Sequence, residues 1–263
     1  MKFTKMQGLG NDYIYVNCFE ETVEDPEAVA KKISDRHFGV GSDGLVLICP
    51  DPEADFQMRM FNSDGSESEM CGNATRCIAK YVFDRGMTKK TEVSLKTGAG
   101  IKILQIHAEN GKTVSVRVDM GEPEISGIGE QISANGKVWT FTRVSMGNPH
   151  AVIFLDHVDQ LNLPEIGPGI ELHPAFPNRT NTEFAEILSG DRIRMRVWER
   201  GAGETMACGT GACATLVAAA ANGLTGRKAV LELNGGPLCI EWDEKTNRVF
   251  QEGPAEFVFD GIW

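Results

Sequence analysis

Along this chain apolar and polar positions alternate over short spans that glycine, asparagine and proline keep interrupting, and only three stretches change to helical spacing. Lys2–Met6 and Tyr13–Val16 flank a turn centred on Gly8-Leu9-Gly10-Asn11, which reads as strand, turn, strand. Asp25-Pro26-Glu27 then opens a helix through Ala28–Arg36, with proline near its start and Val29, Ala30 and Ile33 on one face. Strands follow at Leu45–Ile48 and Gln57–Phe61, the second ending in the polar turn Asn62–Ser66. Glu92–Leu95, Ile101–Ala108 and Val114–Asp119 alternate as strands, with Asn110-Gly111 a hairpin signal between the last two. Gly121-Glu122-Pro123 marks a boundary, beyond which strands are expected at Val138–Val144, Ala151–Leu155, Glu183–Leu188 and Arg192–Trp198. Val230–Leu233, Leu238–Trp242 and Glu256–Phe259 complete the set, while the proline-rich stretch Pro164–Pro177 is expected to be loop. Mixed strands with one main helix per half make the fold class α+β.

The other two helical stretches share a start. Met70-Cys71-Gly72-Asn73 leads into Ile78–Phe83, and Ala207-Cys208-Gly209-Thr210 leads into Ala214–Ala221. Each cysteine therefore stands at a helix N-terminus, where unpaired N–H groups and the helix dipole favour a thiolate. The two cysteines lie 137 positions apart, as do Gly10-Asn11 and Gly147-Asn148, and Glu67 and Glu204. One offset kept by three separate segments predicts an internal duplication, too long for a solenoid repeat. The expectation is two pseudo-symmetric domains, 1–118 with 256–263 and 119–255, each a mixed, mostly antiparallel sheet wrapped around a central helix. A cleft between them would hold the two helix ends and the active site.

Composition narrows the function classes. The chain has 263 residues, 41% hydrophobic and 24% charged, with a net charge of −11. That balance, with no basic run, argues against nucleic-acid binding. The N-terminus carries no secretory pattern, and the longest apolar run, around Ala212–Ala221, is too short to span a bilayer, so no membrane role is expected. Seven cysteines without an export signal imply free thiols in the cytoplasm. Cys77 and Cys213 read as packing residues inside their helices, and Cys18, Cys49 and Cys239 as buried structural thiols. Gly39-Val40-Gly41-Ser42-Asp43-Gly44 fits G-x-G-x-x-G in letters only. A dinucleotide fingerprint needs a strand before it and a helix after it, and here the order is reversed.

Two thiols at equivalent helix ends suit one reaction well. Removing an α-proton from an amino acid is hard without an electron sink such as pyridoxal. A pair of bases on opposite faces of the carbon offers another route: one thiolate takes the proton, the other thiol returns one, and the configuration inverts. Backbone N–H groups at the same helix ends can hold the substrate carboxylate.

At these residues the chain resembles the diaminopimelate epimerase family. The resemblance is carried by Gly8-Leu9-Gly10-Asn11-Asp12, Asn62-Ser63-Asp64-Gly65-Ser66, Cys71-Gly72-Asn73 with Arg76-Cys77, and Gly147-Asn148-Pro149-His150. It continues through Glu199-Arg200-Gly201-Ala202-Gly203-Glu204-Thr205 and Ala207-Cys208-Gly209-Thr210-Gly211. It implies an isomerase that interconverts L,L- and meso-2,6-diaminopimelate without a cofactor or metal, as a homodimer. By the same resemblance Cys208 takes the proton from the L,L substrate and Cys71 donates one. Gly72, Asn73, Gly209 and Thr210 contact the reacting carboxylate. Asn11, Asn62, Asn148, Asn181, Glu199 and Arg200 contact substrate, and His150 and Glu199 tune the thiols. One departure stands out: many relatives carry glutamine at the place of Gly44. Rival readings are an epimerase for another amino acid, such as histidine or a hydroxyproline-like substrate, and a ligand-binding protein in which one cysteine is dispensable.

Overall fold

The structure is a computed structural model that describes all residues, Met1–Trp263. The chain divides into two compact units, Met1–Val118 with Gly253–Trp263, and Asp119–Glu252.

In the first unit β1 (Lys2–Gly8) and β2 (Asn11–Asn17) form a hairpin. Its two-residue turn, Leu9-Gly10, has positive φ at both positions (57° and 84°), the geometry that matches the twist of the flanking strands. α1 (Pro26–Ser34) is capped by Asp25, whose carboxylate accepts the Ala28 N–H at 3.1 Å. β3 (Gly44–Cys49) runs parallel to β2, and β4 (Phe56–Asn62) returns antiparallel to β3. The two-residue β5 (Glu67–Ser68) folds back on β4. α2 (Gly72–Asp84) comes next, then β6 (Glu92–Thr97), parallel to β4. β7 (Gly100–Glu109) and β8 (Lys112–Gly121) close an antiparallel meander around the expected Asn110-Gly111 turn.

α2 is buried on almost every side, and its buried cations find partners inside the unit. Arg76, fully buried, donates to Asn73 Oδ1 at 2.9 Å and to the Pro254 carbonyl at 3.1 Å. Lys80 donates to Asp84 and to the Thr113 carbonyl. A second layer packs Phe3, Ile14, Val16, Ile33, Leu45 and Phe61 under α1.

The second unit repeats the order. β9 (Glu124–Ala134) and β10 (Lys137–Ser145) form a hairpin over Asn135-Gly136, again with positive φ at both residues. β11 (Pro149–Phe154) pairs with β10, and a 3₁₀ turn at Val158–Gln160 leads to α3 (Leu163–Glu171). β12 (Asn181–Ser189) lies parallel to β11, β13 (Arg192–Glu199) antiparallel to β12, and β14 (Gly203–Glu204) folds back on β13. α4 (Gly209–Ala221) precedes β15 (Lys228–Leu233), parallel to β13. β16 (Gly236–Trp242) and β17 (Val249–Gly253) finish this meander. The last strand, β18 (Glu256–Ile262), belongs to the first unit and pairs antiparallel with β1.

The 137-residue offset reappears in three dimensions. α2 and α4 are each 13 residues long and begin 137 positions apart, and α1 and α3 are each nine residues long at the same offset. The parallel pairs β2–β3 and β4–β6 correspond to β11–β12 and β13–β15. α4 is largely apolar and runs through the centre of its unit, with Ala212–Ala219 fully buried. Each such Leu or Val contributes about 1.5–3 kcal/mol by leaving water.

The structure corrects two expectations. The stretch expected as loop, Pro164–Pro177, contains most of α3, with Leu163, Gly167 and Ile170 turned into the core beside Trp139 and Phe184. Pro164 falls in the first turn, where a missing N–H costs nothing, and burial of that face outweighs the bond lost at Pro168. Cys18, Cys49 and Cys239 are only half-buried, and the Cys18 and Cys49 thiols hydrogen-bond to each other where β2 and β3 end side by side. Cys77 and Cys213 are fully buried packing residues as expected. β5, β9, β14 and β17 had no counterpart in the sequence reading.

Candidate active site

Cys71 is the N-cap of α2 in extended conformation, which frees the first N–H groups of the helix beside its sulfur. Its thiol donates to Asn11 Oδ1 at 3.3 Å, and Asn73 Nδ2 donates to the same oxygen at 3.3 Å. Asn11 is anchored from its other end, where Nδ2 donates to Asp43 Oδ2 at 2.7 Å. Asp43 also accepts the Asp12 backbone N–H, and Arg36 bridges Asp12 and Asp43. The short loop Leu9-Gly10 and the capping turn at Cys71 thus bring Asn11, Cys71 and Asn73 together with Gly72. Gly8 lets them approach: a Cβ there would lie 3.2 Å from the Asn73 carbonyl and from Arg76.

Cys208 holds the equivalent N-cap of α4, also extended, but is 6% exposed. The Gly211 N–H points at its sulfur at 3.4 Å, and the Thr210 hydroxyl lies 3.6 Å away. Glu199, at the end of β13, hydrogen-bonds to this thiol and receives the Thr205 hydroxyl. Burial above all, and then the Glu199 and Glu183 carboxylates, push the Cys208 thiol well up, against the opposing pull of Thr210 and the Gly211 N–H. Glu199 is itself raised: the residue is half-covered, but its carboxyl group is enclosed, and that desolvation outweighs its bonds to Thr205 and Cys208. Two neighbouring groups that each resist ionisation can pass one proton between them.

Around this thiol the structure gathers His150, Asn148 and Thr210. His150 is fully buried at the start of β11; its Nδ1 is 2.7 Å from Glu183 Oε1 and its Nε2 is 3.0 Å from Asn148 Oδ1. Asn148 Nδ2 donates to Thr210 Oγ1 at 3.3 Å. Gly209 starts α4 where a Cβ would meet Gln251 at 2.7 Å.

Asn181 and Arg200 form a second group: the Asn181 amide bridges the Pro149 carbonyl and the Arg200 N–H. The exposed Arg200 guanidinium pairs with no carboxylate and donates only to the Asn178 carbonyl, at 3.2 Å. Together with Asn148 it lines a cavity of about 580 Å³ that Arg143 and Arg179 also reach. Asn62 pairs with Gly44 across β3 and β4, and its side chain donates to Ser66 Oγ. At Gly44 a Cβ would stand 2.1 Å from the Phe61 carbonyl oxygen, so no side chain fits without a backbone shift. The sequence reading missed Asp43 and Glu183, the two carboxylates that anchor Asn11 and His150.

Comparison with known proteins gives the family. The model of the family described as diaminopimelate epimerase matches residues 3–126 and 142–258. A protein of Acetivibrio thermocellus named diaminopimelate epimerase is 59% identical, with 99% of this chain and 98% of that protein covered. One of the same name from Methanococcus maripaludis is 55% identical, with 99% of each covered. Among solved structures, a probable proline racemase from Agrobacterium radiobacter superposes with TM-score 0.79 at 14% identity, covering 100% of this chain and 92% of that one. A PhzF-family phenazine biosynthesis protein from Bacillus anthracis gives 0.76 at 17% identity, with 99% and 98% covered, and both likenesses bear on fold alone. With its two capping thiols set in a duplicated α+β frame, this chain belongs to the diaminopimelate epimerase family.

Proposed function

We propose that this protein inverts one α-carbon of 2,6-diaminopimelate, interconverting the L,L and meso forms, with Cys208 and Cys71 as the two bases. The observation that carries the reading is the placement of both thiols as N-caps of equivalent helices, each beside the N–H groups of the first turn.

The chemistry follows from the surroundings of each sulfur. The Cys208 thiol gives its proton to Glu199, whose enclosed carboxyl group favours the neutral acid. The resulting thiolate, steadied by the Gly211 N–H, removes the α-proton of the L,L substrate. The electron pair of the broken C–H bond moves into the α-carboxylate as an enolate. There the N–H groups of Gly72-Asn73 and Gly209-Thr210 stabilise it. Cys71, held as a thiol by its bond to Asn11 Oδ1, protonates the opposite face, forms the new C–H bond and is left as thiolate. The meso substrate runs the sequence backwards. Arg200, whose guanidinium no acid occupies, receives the distal carboxylate in the cavity it shares with Asn148, and Asn181 holds the Arg200 backbone in place. Asn11, Asn62 and Glu199 complete the substrate contacts.

We place the enzyme in the cytoplasm, where thiols stay reduced; no helix is long and apolar enough to cross a membrane. We take the enzyme to be a homodimer. The C-terminal segment supports this by exposing Val258, Phe259 and Ile262 of β18 and Trp263 after it. Sedimentation at twice the 28.7 kDa chain mass is the check, and a monomer would refute it.

Proton NMR with L,L-diaminopimelate in D2O tests the reaction itself. Loss of the α-proton signal with formation of the meso isomer is expected. Exchange of another amino acid instead would keep the thiols and discard the substrate.

A further inference from the structure

Glu183 sits in β12 with no exposed surface, in a run where Asn181, Thr182, Phe184 and Ala185 are buried as well. Its Oε1 lies 2.7 Å from His150 Nδ1, and its Oε2 has no hydrogen-bond partner. A buried carboxylate with an unused oxygen weakens a fold, so packing alone does not account for it. The carboxylate also sits tight against the first turn of α4: a Cβ on Gly211 would meet Oε1 at 2.6 Å and Cys208 Sγ at 3.2 Å.

On the far side of the imidazole, Nε2 faces Asn148 Oδ1 at 3.0 Å, and Asn148 Nδ2 donates to Thr210 Oγ1, 3.6 Å from Cys208 Sγ. An amide oxygen can only accept, so this chain holds together only when His150 Nε2 carries a hydrogen. We propose that Glu183 is a positioning residue: it shares a proton with His150 Nδ1, so that His150 keeps an N–H turned to Asn148 and fixes that amide with its Nδ2 toward Thr210 and the substrate. Wherever the shared proton sits, on the imidazole or on the carboxyl, Nε2 remains a donor. Loss of Glu183 therefore frees the Asn148 amide and disturbs substrate orientation. The proposal rests on the reading that Asn148 contacts diaminopimelate.

Glu183→Met keeps the volume and removes the acceptor; Glu183→Gln restores a partner, because its amide can turn to donate to Nδ1. Glu183→Met is expected to raise KM about tenfold, as for one mispaired buried hydrogen bond, while kcat changes less than about threefold. Glu183→Gln is expected to return KM toward the wild-type value. Imidazole ¹⁵N spectra of the wild-type protein are expected to show His150 Nε2 protonated and a downfield proton shared at Nδ1. A wild-type KM in Glu183→Met overturns the proposal, and so does an unprotonated Nε2 in the wild-type spectrum. If Glu183→Met does not fold, the wild-type spectrum decides alone. Should the wild-type enzyme fail to turn over diaminopimelate, the functional reading falls, while the ring spectrum still tests the chain from Glu183 to Asn148.

Discussion

Asn11 and Asn148 hold the same place in the two halves, 137 positions apart, yet their amides are turned opposite ways. Asn11 is gripped by its nitrogen, which donates to Asp43, and so offers its oxygen to Cys71. Asn148 is gripped by its oxygen, which faces His150, and so offers its nitrogen to Thr210 beside Cys208. An acidic anchor in one half and a basic ring in the other reverse the polarity of one conserved geometry. A duplicated frame can thus supply two chemically unlike ends to a reaction that enters from one configuration and leaves by the other. In the proposed scheme the acceptor at Cys71 stabilises the thiol that gives a proton. In the same scheme the donors at Cys208 stabilise the thiolate left when Glu199 takes its proton.

The comparison breaks most visibly at the sulfurs. Cys71→Ala and Cys208→Ala are each expected to lower inversion by about 10³-fold or more, the scale of a lost general acid or base. Steady-state epimerisation assays read this, and a rate above a few per cent of wild type in either variant refutes the two-base scheme. Cys71→Ala should still exchange the α-proton of the L,L isomer in D2O, because Cys208 remains. Next comes the anchor. Asp43→Ala releases the Asn11 amide and should cut kcat/KM about tenfold to hundredfold, the worth of a hydrogen bond to a charged group. An unchanged kcat/KM would show that Asn11 needs no anchor. A smaller effect separates the two thiols by titration. Glu199→Gln removes the second-largest influence raising Cys208, so the pH midpoint for alkylating Cys208 should move down. A midpoint that stays or rises would contradict the assignment. The smallest effect concerns Cys77, whose thiol burial pushes up to about 12 from 9.0. The folded state then binds more protons than the unfolded one, so stability is lost as pH rises from 9.0 toward 12. Cys77→Ala should flatten that part of the denaturation profile, and an unchanged slope would contradict it.

The register of the duplication was the most informative thing in the sequence, and it held more than local patterns allowed. Pro164, Pro168 and two glycines make the stretch after Leu163 look irregular, yet α1 shifted by 137 positions lands on α3. The hairpin around Asn135-Gly136 carried the same turn signal as Asn110-Gly111, but the weak alternation of β9 hid its first strand. The two thiols were legible because a cysteine before glycine and a helical run is a local signature. Asp43 and Glu183 were not, because each acts on a residue about 32 positions away through packing that no spacing rule encodes. A signal for Glu183 did exist: its counterpart 137 positions earlier is Val46, fully buried in β3, so a charge had entered a place the frame reserves for an apolar side chain.

The return of β18 to the first unit bears on the order in which the halves form. The second unit, Asp119–Glu252, is one unbroken stretch. The first has to wait, since β1 pairs with β18 and Arg76 in the heart of α2 donates to the Pro254 carbonyl. During synthesis the opening 118 residues leave the ribosome lacking an edge strand and a partner for a buried guanidinium, while the stretch made after them is already complete. Seen as a folding process, the molecule is a late-closing half with an early-closing half inserted in it, and β1 waits for a strand made only after that inserted half.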